Sequence, residues 1–360
     1  MQRWGGCVRG EGLLGGGGRG GLCGGWRHGL KPTVLRHACG EGRLRAGSLE
    51  VVSAPIVAVI GGGQLARMMQ EEASALGIHL RALVEAADGS TGQVTPDALV
   101  GAADDEAAVR AVVAGDGTQG SGGEQAAVVT FEHEHQDASL LERLQAEGVS
   151  VQPAPQALEL ARDKLAMRRA MSQAGLPQPA WAEVGGPGQE TAEQMADAVE
   201  AFAVEHGWPV VLKTPRGGYD GHGVLLVRSA ESLHEGEAAE WLASVARARA
   251  GQGDGRGTGG GGSLGGAAVT SLLVEQAIPF TRELAVLLAR RPSGQIAVWP
   301  VAQTVQDDGM CAEVLAPAPG LDSVAVEEAE LIGRTVAERT GVTGVLAVEL
   351  FAVETFGEPT

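Results

Sequence analysis

Lys213-Thr214-Pro215-Arg216-Gly217-Gly218-Tyr219-Asp220-Gly221-His222-Gly223 joins two short apolar runs, Val210-Val211-Leu212 before it and Val224-Leu225-Leu226-Val227 after it. Two such runs around a polar, glycine-rich segment predict a β-hairpin with an extended tip. Four of the seven residues from 217 to 223 are glycine. A backbone without Cβ atoms approaches a polyphosphate closely and turns several N–H donors toward it. Lys213, at the end of the incoming strand, adds an ammonium that reaches the same phosphates. A Walker loop opens a helix and carries Gly-Lys-Ser/Thr, and none occurs here. Glycines that join strands suit instead a lid that folds over a nucleotide and excludes water. Taken alone, the same pattern also describes an ordinary glycine-rich hairpin.

Toward the N terminus, residues 155–174 predict one helix with Leu158, Leu160, Leu165 and Met171 on its apolar side, stopped by Gly175 and Pro177. Earlier, Ile56-Val57-Ala58-Val59-Ile60 runs straight into Gly61-Gly62-Gly63 and the helical pattern Leu65, Met68, Met69. Further strands are expected at 80–84 and 126–130. Strands alternating with helices imply a doubly wound parallel sheet of the Rossmann-like kind. Toward the C terminus, residues 271–275, 283–289, 296–300 and 345–351 read as strands of one further sheet. The fold class is therefore α/β, turning α+β in the C-terminal part. The domains are expected at 55–154 and 155–360, the latter with a lid at about 178–246. Residues 247–268, almost all Gly, Ala, Ser and Arg, and the similar stretch 115–125 are expected to be flexible insertions.

The 360 residues are 44% hydrophobic with a formal net charge of −18. Residues 1–54 hold eight Lys or Arg against three Glu, leaving 19 basic and 42 acidic residues from Pro55 onward. So acidic a body disfavours nucleic-acid binding, which needs cations along the phosphates. No window resembles a membrane span. Three of the four cysteines lie in the first 54 residues, which excludes a disulfide framework in the body and fits a reducing, cytoplasmic setting. Residues 1–54, rich in Gly and Arg and without an apolar period, are expected to be a disordered extension; their low acidic content also fits an organelle-targeting peptide.

Three acidic residues stand out. Glu275 ends the apolar run Leu272-Leu273-Val274, where Glu275-Gln276-Ala277-Ile278 offers backbone groups to an adenine edge, and Glu283 follows eight residues later, in reach of ribose hydroxyls. Either glutamate equally suits a solvated or salt-bridged place. Glu349 sits inside Val345-Leu346-Ala347-Val348-Glu349-Leu350-Phe351, and a carboxylate among apolar neighbours is costly unless paired or bound to a metal. A hard oxygen donor suits Mg²⁺ on nucleotide phosphates. Gly61-Gly62-Gly63-Gln64-Leu65-Ala66, with Glu85 downstream, also meets the dinucleotide fingerprint and keeps a nicotinamide-dependent oxidoreductase open. Glu132-His133-Glu134-His135 reads as a substrate-contacting or solvated loop rather than a metal site.

These stretches, with Ala161-Arg162-Asp163-Lys164, Arg282-Glu283-Leu284 and Trp299-Pro300-Val301, resemble in sequence and in order the N5-carboxyaminoimidazole ribonucleotide synthases, ATP-grasp enzymes of purine synthesis. The resemblance implies an ATP-grasp fold and an ATP-dependent ligase that joins bicarbonate to 5-aminoimidazole ribonucleotide through carboxyphosphate. It implies Mg²⁺, with Mn²⁺ as an alternative, and a homodimer formed through the N-terminal domain. Lys164 and Lys213 would contact ATP phosphates under a cover of Gly218, Tyr219, Asp220, Gly221, His222, Gly223 and Val224. Glu275, Gln276, Ala277 and Ile278 would hold adenine, Glu283 the ribose, and Gln306 would stand where the family often has a histidine near the nucleotide. Glu349 falls on a metal-binding carboxylate. Gly63, Gln64 and Glu134 would lie by the aminoimidazole substrate, with Tyr219 reaching it from the lid; Lys213, Tyr219 and His222 are the expected catalytic set.

His222 departs from the family, which usually carries Arg or Lys there. An imidazole is only partly charged near neutrality, so weaker binding of the substrate phosphate is expected, and His222→Arg should lower the substrate KM in steady-state assays. The sequence stops just before the family's Asn-Glu pair, so a second metal carboxylate and the rest of the C-terminal domain are expected to be missing and carboxylation by this chain alone to be weak. A formate-using glycinamide ribonucleotide transformylase of the same class, and the oxidoreductase, remain as alternatives.

Overall fold

A computed structural model describes residues 54–116, 123–134, 136–217, 223–251, 269–307 and 310–353. The N-terminal part runs β1 (Ile56–Ile60), α1 (Gln64–Leu76), β2 (His79–Val84), β3 (Ala98–Val100), α2 (Glu106–Ala114), β4 (Val128–Phe131) and α3 (Ala138–Ala146). Its four strands are parallel in the order β3-β2-β1-β4. Ala58, Val59 and Ile60 are almost fully buried, as expected of a central parallel strand covered on both faces. Val59 packs with Ala66, Ala73 and Leu80 on the α1 side, and Ala58 with Val109, Leu140 and Leu144 on the other. The order reverses between β1 and β4, which opens a crevice at their carboxyl ends.

The helix expected over 155–174 is two helices, α4 (Pro155–Arg162) and α5 (Lys164–Ala174). Asp163 between them is extended (φ −123°, ψ 108°), and its side chain accepts from the Ala166 N–H. An aspartate that caps the next turn competes with helix continuation, and here it wins.

A second sheet follows: β5 (Trp181–Val184), α6 (Ala192–His206), β6 (Val210–Lys213), β7 (Val224–Val227), α7 (Glu237–Arg249) and β8 (Leu272–Gln276), with strand order β5-β8-β6-β7. The expected hairpin is present, with Val210 opposite Val227 and Lys213 opposite Val224. β8, expected in the C-terminal sheet, pairs with β5 and β6 instead. Packing explains the choice: Leu272 and Val274 join Val210, Leu212 and Val227 in the core under α6 and α7, which turns Glu275 to the same face as Lys213. Residues 247–249 belong to α7, while 252–268 and 117–122, in the two expected insertions, lie outside the described residues.

The third sheet holds β9 (Arg282–Arg290), β10 (Ile296–Val298), β11 (Ala302–Asp307), β12 (Met310–Leu315) and, after α8 (Ser323–Thr340), β13 (Gly344–Ala352). The order is β10-β9-β11-β12, with β13 antiparallel to β9 along its whole length. Leu284, Val286, Leu288, Leu346 and Val348 pack on α5 and α8 through Met167, Met171, Ala329 and Val336. Alternation then places Glu283, Ala285, Glu349 and Phe351 on the opposite face, away from that core. Among the described residues no helix is long and apolar enough to cross a membrane.

Candidate functional site

Lys213 ends β6, and the hairpin beyond it closes through the Thr214 N–H, which donates to the Gly223 carbonyl at 3.0 Å. Gly217 (φ 76°) and Gly223 (φ 71°) take backbone conformations that side chains disfavour. The tip itself, with Gly218, Tyr219, Asp220, Gly221 and His222, lies outside the described residues, as does His135. The incoming arm is tied to the α4–α5 junction: Pro215 O accepts from the Lys164 N–H at 2.9 Å, and Arg216 pairs with Asp163 at 2.9 Å and with Glu159. Lys164, the first residue of α5, is thereby held near Lys213. Burial, and then the Lys213 charge, lower the Lys164 pKa from its ordinary value.

Glu275 is 3% exposed, and its carboxylate lies between Arg168, whose Nε donates at 2.6 Å, and the Lys213 ammonium. Burial opposes its ionisation, but the Lys213 and Arg168 charges outweigh it and hold the pKa at about 2. The carboxylate is committed to two internal cations, which leaves the main chain as the part of 275–278 available to an adenine edge. Gln276 is anchored by its N–H to Ala180 O at 2.9 Å. Arg168 was not singled out from the sequence; its signal is the i, i+4 spacing from Lys164, which puts both on one face of α5.

Arg168 also lines a cavity of about 440 Å³ with Gln178, Ile278, Glu283, Glu349 and Phe351. Gln306 donates from Nε2 to Glu283 Oε2 at 3.0 Å, and Phe351 stacks on Phe280 with centroids 4.4 Å apart. Val224 starts β7 opposite Lys213. A polar rim of three carboxylates, those of Glu283, Glu349 and Glu328 of α8, with an arginine and a glutamine around aromatic and aliphatic walls, suits a planar base with a sugar attached. Glu283 and Glu349 share one face of the β9–β13 pair, Glu349 opposite Ala285 and Phe351 opposite Glu283. Among the described residues no three His, Cys, Asp or Glu side chains are grouped to cage a metal. One or two carboxylates with nucleotide phosphates and waters is the donor set Mg²⁺ takes, so these residues fit it in part.

At the β1–β4 crevice Glu134, two residues beyond Glu132, is half-buried, and the Glu132 carboxylate takes N–H donors from Gly63 at 2.6 Å and Leu65 at 3.0 Å, with Gln64 between those two donors. That carboxylate occupies the helix end where a dinucleotide pyrophosphate would sit. Two anions cannot share those donors, which weighs against the oxidoreductase, and Glu85 stands exposed.

A family model described as an ATP-grasp domain matches residues 169–356, and one described as a ribonucleotide synthetase preATP-grasp domain matches residues 55–162. N5-carboxyaminoimidazole ribonucleotide synthase of Mycobacterium tuberculosis is 43% identical over 298 residues, which cover 83% of this chain and 59% of the relative. The enzyme of that name from Brucella melitensis is 30% identical over 302 residues, covering 83% of this chain and 70% of the relative. Among crystal structures, N5-carboxyaminoimidazole ribonucleotide synthetase from Thermus thermophilus superposes with a TM-score of 0.63 at 29% identity, covering 82% of this chain and 68% of that one. Carboxyaminoimidazole ribonucleotide synthase from Aspergillus clavatus complexed with ATP gives 0.63 at 26% identity, covering 83% and 66%. The chain spans less than two thirds of the length of the mycobacterial relative.

Proposed function

The chain belongs to the ATP-grasp family, among the N5-carboxyaminoimidazole ribonucleotide synthases, and on that premise we propose that it takes part in the ATP-dependent carboxylation of 5-aminoimidazole ribonucleotide. The observation that carries this reading is the meeting of Lys164, Lys213 and the Arg168–Glu275 pair at the base of a glycine-rich hairpin, next to a cavity lined by Glu283 and Glu349. In this reading the two lysines neutralise the ATP phosphates, Glu283 with Gln306 meets the ribose, and Ile278 and Phe351 flank the base. A bicarbonate oxygen attacks the γ-phosphorus and ADP leaves. The substrate amine then attacks the carboxyl carbon of carboxyphosphate, and phosphate leaves. Mg²⁺ held in part by Glu349 would neutralise charge on the transferring phosphoryl group. Lys213 stabilises the same charge from the hairpin. Gly63, Gln64 and Glu134 are assigned to the aminoimidazole ribonucleotide, Tyr219 and His222 to the lid above it, and the hairpin keeps water from the acyl phosphate. The reading carries small-molecule partners only, a homodimer and a cytoplasmic setting.

Calorimetric titration with Mg²⁺ and ATP, then with the aminoimidazole nucleotide, is expected to give saturable binding of both, and ADP release is expected to need bicarbonate. Binding of NADH in place of ATP, or ADP release that needs formate and glycinamide ribonucleotide instead, would overturn the proposal.

A further inference from the structure

The three glycines at 61–63 are required by the protein's own atoms. A Cβ on Gly63 would lie 2.3 Å from Glu132 Oε1, and one on Gly61, where φ is +121°, would lie 2.8 Å from Glu132 Cβ. A Cβ on Gly62 would lie 2.8 Å from Val84 Cβ and 3.0 Å from Val84 Cα. Gly61 and Gly63 thus admit an internal carboxylate rather than a ligand's phosphate, and Gly62 admits Val84. Glu132 continues β4 by donating its N–H to Ile60 O at 3.0 Å, and from there its side chain spans the crevice to the α1 N terminus.

The same turn is held from its other side. Thr91, fully buried, donates from Oγ1 to Gly63 O at 2.7 Å and from its N–H to Gly62 O at 3.1 Å. Ser90 Oγ donates to Gln64 Oε1 at 2.9 Å, and Arg67 Nη1 fixes Ser90 O at 3.0 Å. The Gly63 peptide is thus gripped at its N–H by Glu132 and at its carbonyl by Thr91. Gln64 is oriented by its oxygen, which turns its amide nitrogen outward as a donor.

We infer that Glu132 and Thr91 are positioning residues: Glu132 fills the α1 N terminus in place of a ligand anion, and the two together set the Gly63–Gln64 main chain against the substrate. The second clause rests on the function proposed above, because only that reading puts the aminoimidazole nucleotide on Gly63 and Gln64; the first rests on the geometry alone. It follows that the substrate phosphate is bound elsewhere and that the crevice presents neutral donors from Gln64, with Glu134, to the rest of the ligand.

The test uses Glu132→Ala, Glu132→Gln, Thr91→Val and Thr91→Ser, each with its unfolding curve and ATP affinity as controls. Titrating inorganic phosphate into Glu132→Ala should shift the amide resonances of Gly63 and Leu65, and leave them unmoved in the unaltered chain. Affinity for the aminoimidazole nucleotide should fall about tenfold or more in Glu132→Ala and Thr91→Val, less in Glu132→Gln, and recover in Thr91→Ser, with ATP affinity constant throughout. A folded Glu132→Ala variant whose amides ignore phosphate would overturn the first clause. An unaltered chain that binds the nucleotide no better than Glu132→Ala and Thr91→Val do would overturn the second, and if it does not bind the nucleotide at all the function proposed above fails while the phosphate arm still decides the first clause. Should Glu132→Ala not fold, Glu132→Gln carries the phosphate titration.

Discussion

Glu275→Leu is expected to destabilise the chain by about 3–5 kcal/mol, the range for breaking a buried ion pair from one side. The cost arises because Lys213 and Arg168 stay where they are, 11% and 8% exposed, with no anion between them. Urea unfolding measures it as a fall in the midpoint at constant slope. The pH dependence has a definite sign. The folded carboxyl has a pKa of about 2 against an ordinary 4.5, so its contribution is fully present above about 4.5 and is lost as pH falls from there toward 2. In Glu275→Leu this part of the acid sensitivity should disappear. An unchanged acid limb would show that the carboxylate does not carry it.

Lys213→Met is expected to weaken ATP binding by about a hundredfold, the scale of losing a charge-assisted contact to phosphate in a partly dry site. Adenosine affinity should change little, because Lys213 is assigned to the phosphates and the cavity beside Ile278 and Phe351 to the base. Comparing the two ligands separates this from a loss of fold, which would remove both. A parallel loss of adenosine affinity in a variant whose unfolding curve is unchanged would instead mean that Lys213 acts by holding Glu275 in place. Lys164, whose ammonium is disfavoured by burial and by Lys213, should regain part of its lost basicity once Lys213 is gone.

The strand–turn–helix at 56–76 and the hairpin around 213–224 were readable from local pattern alone, because β-branched runs, glycines and helical spacing act within a few residues of each other. The partner of β8 was not. Residues 272–276 could add to either sheet by composition, and only packing against α6 and α7, distant in sequence, decides. The break at Asp163 had a local signal, an aspartate three residues before the amide it caps, but the apolar spacing across it favours one helix. In the candidate site, Lys213 and Glu275 stood out by type and place and Lys164 only through the family resemblance, and the use of Glu275 as a counterion depends on Arg168, 107 residues away in sequence. Glu132 was overlooked for a similar reason: the glycine fingerprint reads alike whether a ligand or the protein's own carboxylate fills the turn.

Asp163 divides its two oxygens between a helix end and a loop: Oδ1 takes the Ala166 N–H, and Oδ2 takes Arg216 at the base of the hairpin. The Arg216 side chain is half exposed, whereas Lys213, three residues earlier, is paired in the interior. Dissolved salt screens the first contact and hardly reaches the second. The ion-pair fastening at the base of the hairpin therefore weakens with ionic strength while the Lys213–Glu275 contact holds, so electrolyte acts on the anchor and spares the internal charge pair.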